Sequence, residues 1–270
     1  RLLKNPNQLS IIQDDLYRDY TIKNPDNPIR FISVLGIEQF TLFFPKNSNV
    51  TNFYDIRKTK IGTLGVNTGS YFSLNNLNIR LNLDLEIIPL KESDILDNVE
   101  NGNIDGVFMV TAHPSSIVSD INNVIPIKFI SFDGIISDIQ KRLFPHMEKS
   151  YIDLSHYGIY SKLSIQTLNV NVNLLCHKDF PSEYSYGLIS ALFSNFTRYK
   201  TDGSDTFKIK MKEYNPSHLY LSDTIYTPHT GVRKYYKKIG VITNYPNQNC
   251  VYSIGANKCT GKRLNFFRLI

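Results

Sequence analysis

The stretch KIGTLGVNTGSYFSL, residues 60–74, changes character in its middle, while the sequence on either side reads as ordinary core. Residues 60–64 read as a short strand. Residues 65–69 then supply flexible backbone, the Asn67 amide and the Thr68 hydroxyl, and Ser70 opens a segment, residues 71–77, that continues as a helix. A strand feeding a Gly-rich turn and a helix N-terminus leaves several N–H groups pointing into one space, where an anion's oxygens can replace the missing intrahelical acceptors. The stretch predicts either an oxyanion site or a plain tight turn, because Gly and Asn both tolerate positive φ. It has no GxGxxG and no Lys before the hydroxyl residue as in a Walker loop, which argues against dinucleotide and nucleoside triphosphate binding.

Upstream, a helix end leads into LSIIQDD, a short strand with Gln13, Asp14 and Asp15 at its carboxyl end, where ligands collect in open α/β sheets. Pro25 and Pro28 break the next segment. Residues 29–44 are β-rich and read as a pair of strands or as one strand crossing between lobes, and residues 52–57 as a helical turn. Downstream, residues 83–90 alternate as a buried strand and residues 91–101 as an amphipathic helix stopped at Gly102. Residues 104–110 are a core strand with Thr111, Ala112, His113 and Pro114 at its carboxyl end. Another apolar strand spans 125–132, and a helix near 134–144 is closed by Pro145. Residues 151–160 are irregular and aromatic, 166–176 alternate at period two, and 182–197 carry apolar residues at helical spacing. Residues 208–214 give a weak signal. TPHTGVRKYYKKIG, residues 227–240, is a basic amphipathic helix behind a Pro-His-Thr-Gly lead, and residues 241–270 suggest no role. Strand and helix alternating at this spacing predict α/β structure with a parallel or mixed sheet.

A chain of 270 residues buries a substantial core and divides more comfortably into two lobes than one. Hydrophobic residues make up 41% and charged residues 20%, which excludes wholesale disorder. The formal charge of +6 and pI near 9.0 favour anionic partners, yet the charge is dispersed. The densest basic cluster, Arg233, Lys234, Lys237 and Lys238, reads as a solvated helix face, so no nucleic-acid partner is expected. No run reaches the roughly 18 apolar residues of a membrane span, and the start, RLLKNPNQLS, resembles no signal peptide. A leader or larger segment is expected to have been removed. Cys176, in an apolar run, reads as buried. Cys250 and Cys259 are a candidate pair in an oxidising compartment, although spacing leaves a bond and two free thiols equally open. The sequons at Asn49 and Asn195 are ordinary chance matches in an Asn-rich chain.

The order LSIIQDD, KIGTLGVNTGS, NGNIDGVFMVTAHP, LSHYG before a long alternating strand, then TPHTGVRKYYKKIG resembles the TAXI class of solute-binding proteins, which serve tripartite ATP-independent periplasmic (TRAP) transporters. The resemblance spans residues 1 to about 240. It implies a type II periplasmic-binding fold: two α/β lobes joined by crossing strands, lobe I from 1–43 and 168–270, lobe II from 44–167. The class's Gly/Thr-rich opening strand and helix start has no counterpart here, so the front of lobe I is expected to be missing from this chain. Carried over by position, Gln13 and Asp15 fall on the polar strand end, and Thr68, Gly69 and Ser70, with Asn67, on the hydroxyl loop. Thr111 and Pro114 fall on the unit closing the other side of the cleft, and Tyr157 on an aromatic at its rim. His229 and Gly231 belong to the terminal signature and are expected to be structural. His113 stands where small residues are usual.

The resemblance implies a monomeric periplasmic receptor that takes a small anionic or zwitterionic ligand, such as glutamate, glutamine or another organic acid, and passes it to TRAP membrane subunits. Gln13, Asp15, Asn67, Thr68, Gly69, Ser70, Thr111, His113 and Tyr157 are the expected ligand contacts, with no cofactor and no metal. One alternative is a non-transport or surface-antigen relic of the same fold. The other is an enzyme on a two-lobed fold. The six His show no HExxH spacing and there is no GxSxG elbow, which leaves His113 with Asp105 as the nearest approach to a catalytic pair.

Overall fold

A computed structural model describes residues 2–160, 163–194 and 225–239. The weak segment at 208–214, the Asn195 sequon and the 241–270 tail with Cys250 and Cys259 lie outside them.

Among the described residues, eight strands form one mixed sheet: β1 (Leu9–Gln13), β2 (Ile29–Pro45), β3 (Lys60–Leu64), β4 (Glu86–Leu90), β5 (Gly106–Thr111), β6 (Ile127–Phe129), β7 (Glu148–Asp153) and β8 (Ser164–His177). The order is β1-β8-β2-β5-β3-β4, with β6 on β2 and β7 on β8. Among these strands β3 runs parallel to its neighbours, β4 and β5, and the other pairs are antiparallel. The helices are α1 (Asp14–Lys23), α2 (Gly69–Leu81), α3 (Ile95–Glu100), α4 (Ser116–Val124), α5 (Ile136–Arg142), α6 (Ser182–Ser194) and α7 (Thr230–Lys238).

Residues 29–45 are one 17-residue strand rather than a pair, and β2 organises the sheet. Its first half, 29–39, pairs with β8; its second half, 39–45, pairs with β5 and β6. Alternation along β2 feeds a different core on each face. Phe40, Leu42 and Phe44 pack with Phe108 and Val110 of β5, Leu74 and Leu77 of α2 and Ile139 of α5. Phe43 faces the other way, with Met109 of β5, Ile95 of α3 and Val118 and Ile121 of α4. In the first half, Phe31 meets Tyr17 of α1 and Tyr226, whereas Ile32 meets Ile189 of α6 and Val232 and Tyr236 of α7. Two register shifts, between Phe31 and Ser33 and between Val34 and Gly36, fit the half-strands together. Each fully buried Phe, Ile or Leu contributes about 1.5–3 kcal/mol, so these layers hold the sheet between its helices.

Several elements depart from expectation for identifiable reasons. LSIIQDD stops being a strand at Gln13: Asp14 and Asp15 open α1, where the positive end of the helix favours acidic side chains. β4 is not buried throughout but half exposed, because it is the last strand in the order. The expected helix over 91–101 is a 3-10 turn, Glu92–Asp94, running into α3. α4 and β7 were not anticipated; β7 occupies residues read partly as irregular. Cys176 is buried as expected, and burial pushes its thiol up to about 12. Lys234, Lys237 and Lys238 lie exposed on α7 as expected.

Candidate functional site

Strand direction places two sets of carboxyl ends face to face. β1 is antiparallel to β8 and β8 to β2, so β1 runs with β2, while β5 and its parallel neighbour β3 run against it. Gln13, the last residue of β1, is level with Val172 of β8 and through it with Gly36 of β2. Thr111, the last residue of β5, is level with Gln39 of β2. The two half-sheets end only three residues apart along β2, and the N-termini of α1 and α2 meet there.

At that meeting Thr68 caps α2: its Oγ1 accepts from the Tyr71 N–H at 3.2 Å and donates to the Gly65 carbonyl at 2.8 Å. Gly69 and Ser70, in the first turn, have N–H groups with no intrahelical acceptor. A Cβ at Gly69 would lie 2.0 Å from Gln13 Oε1 and 2.5 Å from its Cδ, so any larger residue there displaces the Gln13 side chain. The Gln13 amide lies across the start of α2, and its Nε2 donates to Asp15 Oδ1 at 2.7 Å and to Ser73 Oγ at 2.9 Å. Asp15 also accepts from Ser73 Oγ at 2.6 Å and from the Leu16 N–H at 2.8 Å. Its carboxyl is fully buried, and loss of water pushes its pKa up to about 6 despite these hydrogen bonds, with the Asp14 charge adding to the rise. The Ser70 hydroxyl accepts from the Val110 N–H of β5 at 2.9 Å, which ties the start of α2 to the last turns of that strand.

Beyond β5, His113 and Tyr157 form a second buried group. The Tyr157 hydroxyl accepts from the Ser115 N–H at 2.8 Å and lies 2.5 Å from His113 Nδ1, while His113 Nε2 lies 2.7 Å from Thr41 Oγ1. Thr41 Oγ1 also donates to the Gln39 carbonyl at 3.1 Å, so one run of polar contacts joins β2, His113, Tyr157 and Ser115. Burial also pushes the Tyr157 phenol up to about 12. Asp105 lies before β5 and accepts from the Lys60 N–H at 2.7 Å, at the opposite end of the strand from His113, so the two form no catalytic pair.

The structure thus brings Gln13, Asp15, Thr68, Gly69 and Ser70 together, and Ser70 links them through β5 to Thr111, His113 and Tyr157. Asn67 is exposed on the turn before them. His229 and Gly231 lie elsewhere, between α6 and α7. His229 Nδ1 caps α7 by accepting from the Gly231 N–H at 3.3 Å and lies 2.6 Å from Ser185 Oγ, while Nε2 lies 3.2 Å from the Lys178 carbonyl. Ser185 and His229 are both buried, so this contact offers no accessible nucleophile.

Sequence reasoning missed Ser73, although its place one turn after Gly69 puts it on the same helix face. Asp14, read with Gln13 and Asp15 as one polar strand end, turns away from Asp15. Asp14 accepts from Arg18 Nε at 2.9 Å, from Asn173 Nδ2 of β8 at 2.6 Å and from the Tyr226 hydroxyl, with His146 Nε2 at 3.6 Å. Among the described residues no group of His, Cys, Asp and Glu is arranged to hold a metal ion, and no helix is long and apolar enough to cross a membrane.

The fold and site define an α/β protein in which helix N-termini converge at facing strand ends. The chain belongs to the NMT1-like family, whose model matches residues 17–240. No curated protein matches it. Among solved structures it is similar to a periplasmic transporter protein at 12% identity and a TM-score of 0.47, over 88% of this chain and 76% of that one. It is similar to a TctC solute-binding protein from Polaromonas at 11% identity and a TM-score of 0.44, over 77% and 69%. A third likeness is to SsuA of Methylobacillus flagellatus KT, described as a periplasmic sulfonate-binding protein, at 15% identity and a TM-score of 0.43, over 85% of this chain. The chain spans 65% of the length of SsuA.

Proposed function

We propose that this chain is an extracytoplasmic solute-binding receptor that holds a small organic acid or amino acid between two α/β lobes and passes it to the membrane subunits of a TRAP transporter. The lobes are residues 1–43 with 168–270, and residues 44–167. The observation that carries the reading is the head-to-head ending of the half-sheets at Gly36 and Gln39 of β2, with the N-termini of α1 and α2 meeting beside it. An acid's carboxylate would lie at the N–H groups of Gly69 and Ser70, within reach of Gln13, Asn67 and the Thr68 hydroxyl. Thr111, His113, Tyr157 and Asp15 would shape the walls. Closure would bring α1 and α2 onto the ligand together, so that contact with both lobes favours the closed state. The protein would do no chemistry on its ligand.

A thermal-shift screen of the full chain against amino acids, dicarboxylates and 2-oxo acids tests the reading. A ligand at a hundredfold excess over its Kd raises stability by about 2.7 kcal/mol. One acid should raise the melting temperature, and Thr68→Ala should remove that rise. A folded chain that responds to none of the panel refutes the small-acid reading.

A further inference from the structure

We propose that a pocket between β6 and the turn at 154–160 is a second binding site, for a small amphipathic anion: an apolar body of one ring system or a medium-length chain, carrying a single carboxylate or sulfonate. It depends neither on the receptor reading nor on the site at the start of α2.

The pocket holds about 560 Å³, within the roughly 300–1,000 Å³ of ordinary small-molecule sites. Strand pairing sets its place. Ile127 of β6 is level with Pro45 of β2, six residues from the Gln39–Thr111 pair where the half-sheets end, which is about 20 Å along the strand. Hydrogen bonds hold the walls before any ligand arrives. The Asn122 amide of α4 bridges them: its Nδ2 donates to the Tyr157 carbonyl at 3.0 Å, and its Oδ1 accepts from the Ile127 N–H at 3.2 Å. The Ile159 N–H donates to the Leu154 carbonyl at 3.2 Å, which closes the turn, and the Lys46 N–H donates to the Pro126 carbonyl at 2.8 Å, which fixes the chain leaving β2.

The lining divides by chemistry. Ile127, Phe129, Leu154 and Ile165 are buried and make an apolar inner wall. Toward solvent the wall continues in Ile159 and in Tyr160, which is 73% exposed. The charged lining residues are Lys46 and Lys128, and among the described residues no carboxylate joins them. Lys128 Nζ is anchored on the Ser48 carbonyl. Lys46 is exposed and forms no ion pair among the described residues, so its ammonium is the group that an incoming anion meets. The two parts of the lining do different work. Burial of an apolar body supplies affinity, whatever its charge. Lys46 then favours a body that carries an acid over a neutral one, and disfavours a cation.

Fluorescence titration of the full chain with 1-anilinonaphthalene-8-sulfonate, an aryl sulfonate that brightens in apolar surroundings, tests the site. The dye should saturate a single site. Octanoate should displace it, octanol about tenfold less well, and acetate not at all. Lys46→Glu and Tyr160→Glu change exposed side chains, so the fold should survive both. Each should weaken the dye and octanoate about tenfold, and Lys46→Glu should leave octanol unchanged. Lys141→Glu makes the same change of net charge on α5, which packs on the opposite face of the sheet, and should alter neither ligand. Equal weakening by Lys141→Glu would reduce the effect to net charge, and unchanged binding in both Lys46→Glu and Tyr160→Glu would put the dye elsewhere; either result overturns the proposal. So does octanol that competes as well as octanoate, or a chain folded by circular dichroism that binds neither dye nor octanoate.

Discussion

Gly231→Ala gives a sharp measure of how the terminal signature works. A Cβ at position 231 would lie 2.0 Å from the Ser182 carbonyl oxygen, 2.1 Å from Ser185 Oγ and 2.8 Å from the Tyr186 nitrogen, where ordinary contact begins at 3.4 Å. Two of the three atoms are backbone in the first turn of α6, so no rotamer relieves the clash and the helices must separate by more than an ångström. Separation stretches the Ser185–His229 hydrogen bond and loosens Val232, Tyr235 and Tyr236 from Ile189. Overpacking costs about 1–3 kcal/mol and a buried hydrogen bond about 1 kcal/mol more, for a loss of about 3 kcal/mol. At about 2 °C per kcal/mol for a chain of this size, the melting temperature should fall by about 6 °C. Calorimetry on the full chain reads this directly, with a urea midpoint as the second measure. Adding Ser185→Ala removes the 2.1 Å contact but leaves the carbonyl, so it should recover only part of the loss. A Gly231→Ala melt within a degree of the parent would refute the claim that α6 and α7 are held at glycine distance.

Tyr157→Phe removes the hydroxyl beside His113 Nδ1 and leaves the Ser115 N–H without its acceptor, and should cost about 2–4 kcal/mol in urea unfolding. An unchanged midpoint would show that this buried hydroxyl does not hold the fold. Asp14→Ala removes the carboxylate to which Arg18, Asn173 and Tyr226 all donate, and should cost about 3–5 kcal/mol; a loss under 1 kcal/mol would mean that water replaces the carboxylate. Burial holds His229 below its ordinary 6.5, so the unfolded chain binds the extra proton: this contribution is complete above 6.5 and is lost as pH falls through it. His229→Asn keeps a capping oxygen and should flatten the decline in urea midpoint between pH 7.5 and 5.5 that the histidine causes. The buried Cys176 thiol should resist alkylation in the native chain; modification of Cys176 without unfolding would contradict its burial.

The long strands and helix starts were legible because their signals are local. Period-two alternation marked β8, and the apolar run of 29–44 marked β2, although only pairing shows that β2 continues unbroken past both register shifts. The Gly-Val-Asn-Thr-Gly wording of 65–69 marked the start of α2, and the cap at Thr68 lies within it. The convergence of Gln13 on Gly69 was not legible, since it depends on β1 running against β3 and β5, a property of the whole sheet order. Ser73 and the partners of Asp14 stayed hidden for the same reason: each contact forms only when side chains arrive from different elements. α4 lacked a side-chain cap at Ser115 and acidic residues in its first turn, so its start gave little warning.

Asp14 and Asp15 show how two adjacent carboxyls can be buried at one helix start. Successive helical residues point about 100° apart, so one carboxyl turns toward β8 and the other toward α2. Asp14 meets a guanidinium, an amide and a phenol, and an ionised carboxylate can accept from all three at once. Asp15 meets an amide, a hydroxyl and one N–H, none of them cationic. Hydrogen bonds from neutral donors offset only part of its desolvation, and the positive end of α1 serves both residues alike. The difference in partners therefore makes Asp14 the residue that holds α1 to the sheet, while among the described residues Asp15 has no cation against it. Exchanging the partners would exchange the roles: a cation introduced at Ser73, as in Ser73→Lys, should drive the Asp15 carboxyl back below its ordinary range. NMR titration of the Asp15 carboxyl should then place its midpoint below 3.8, and a midpoint still near 6 would refute this account of the pair.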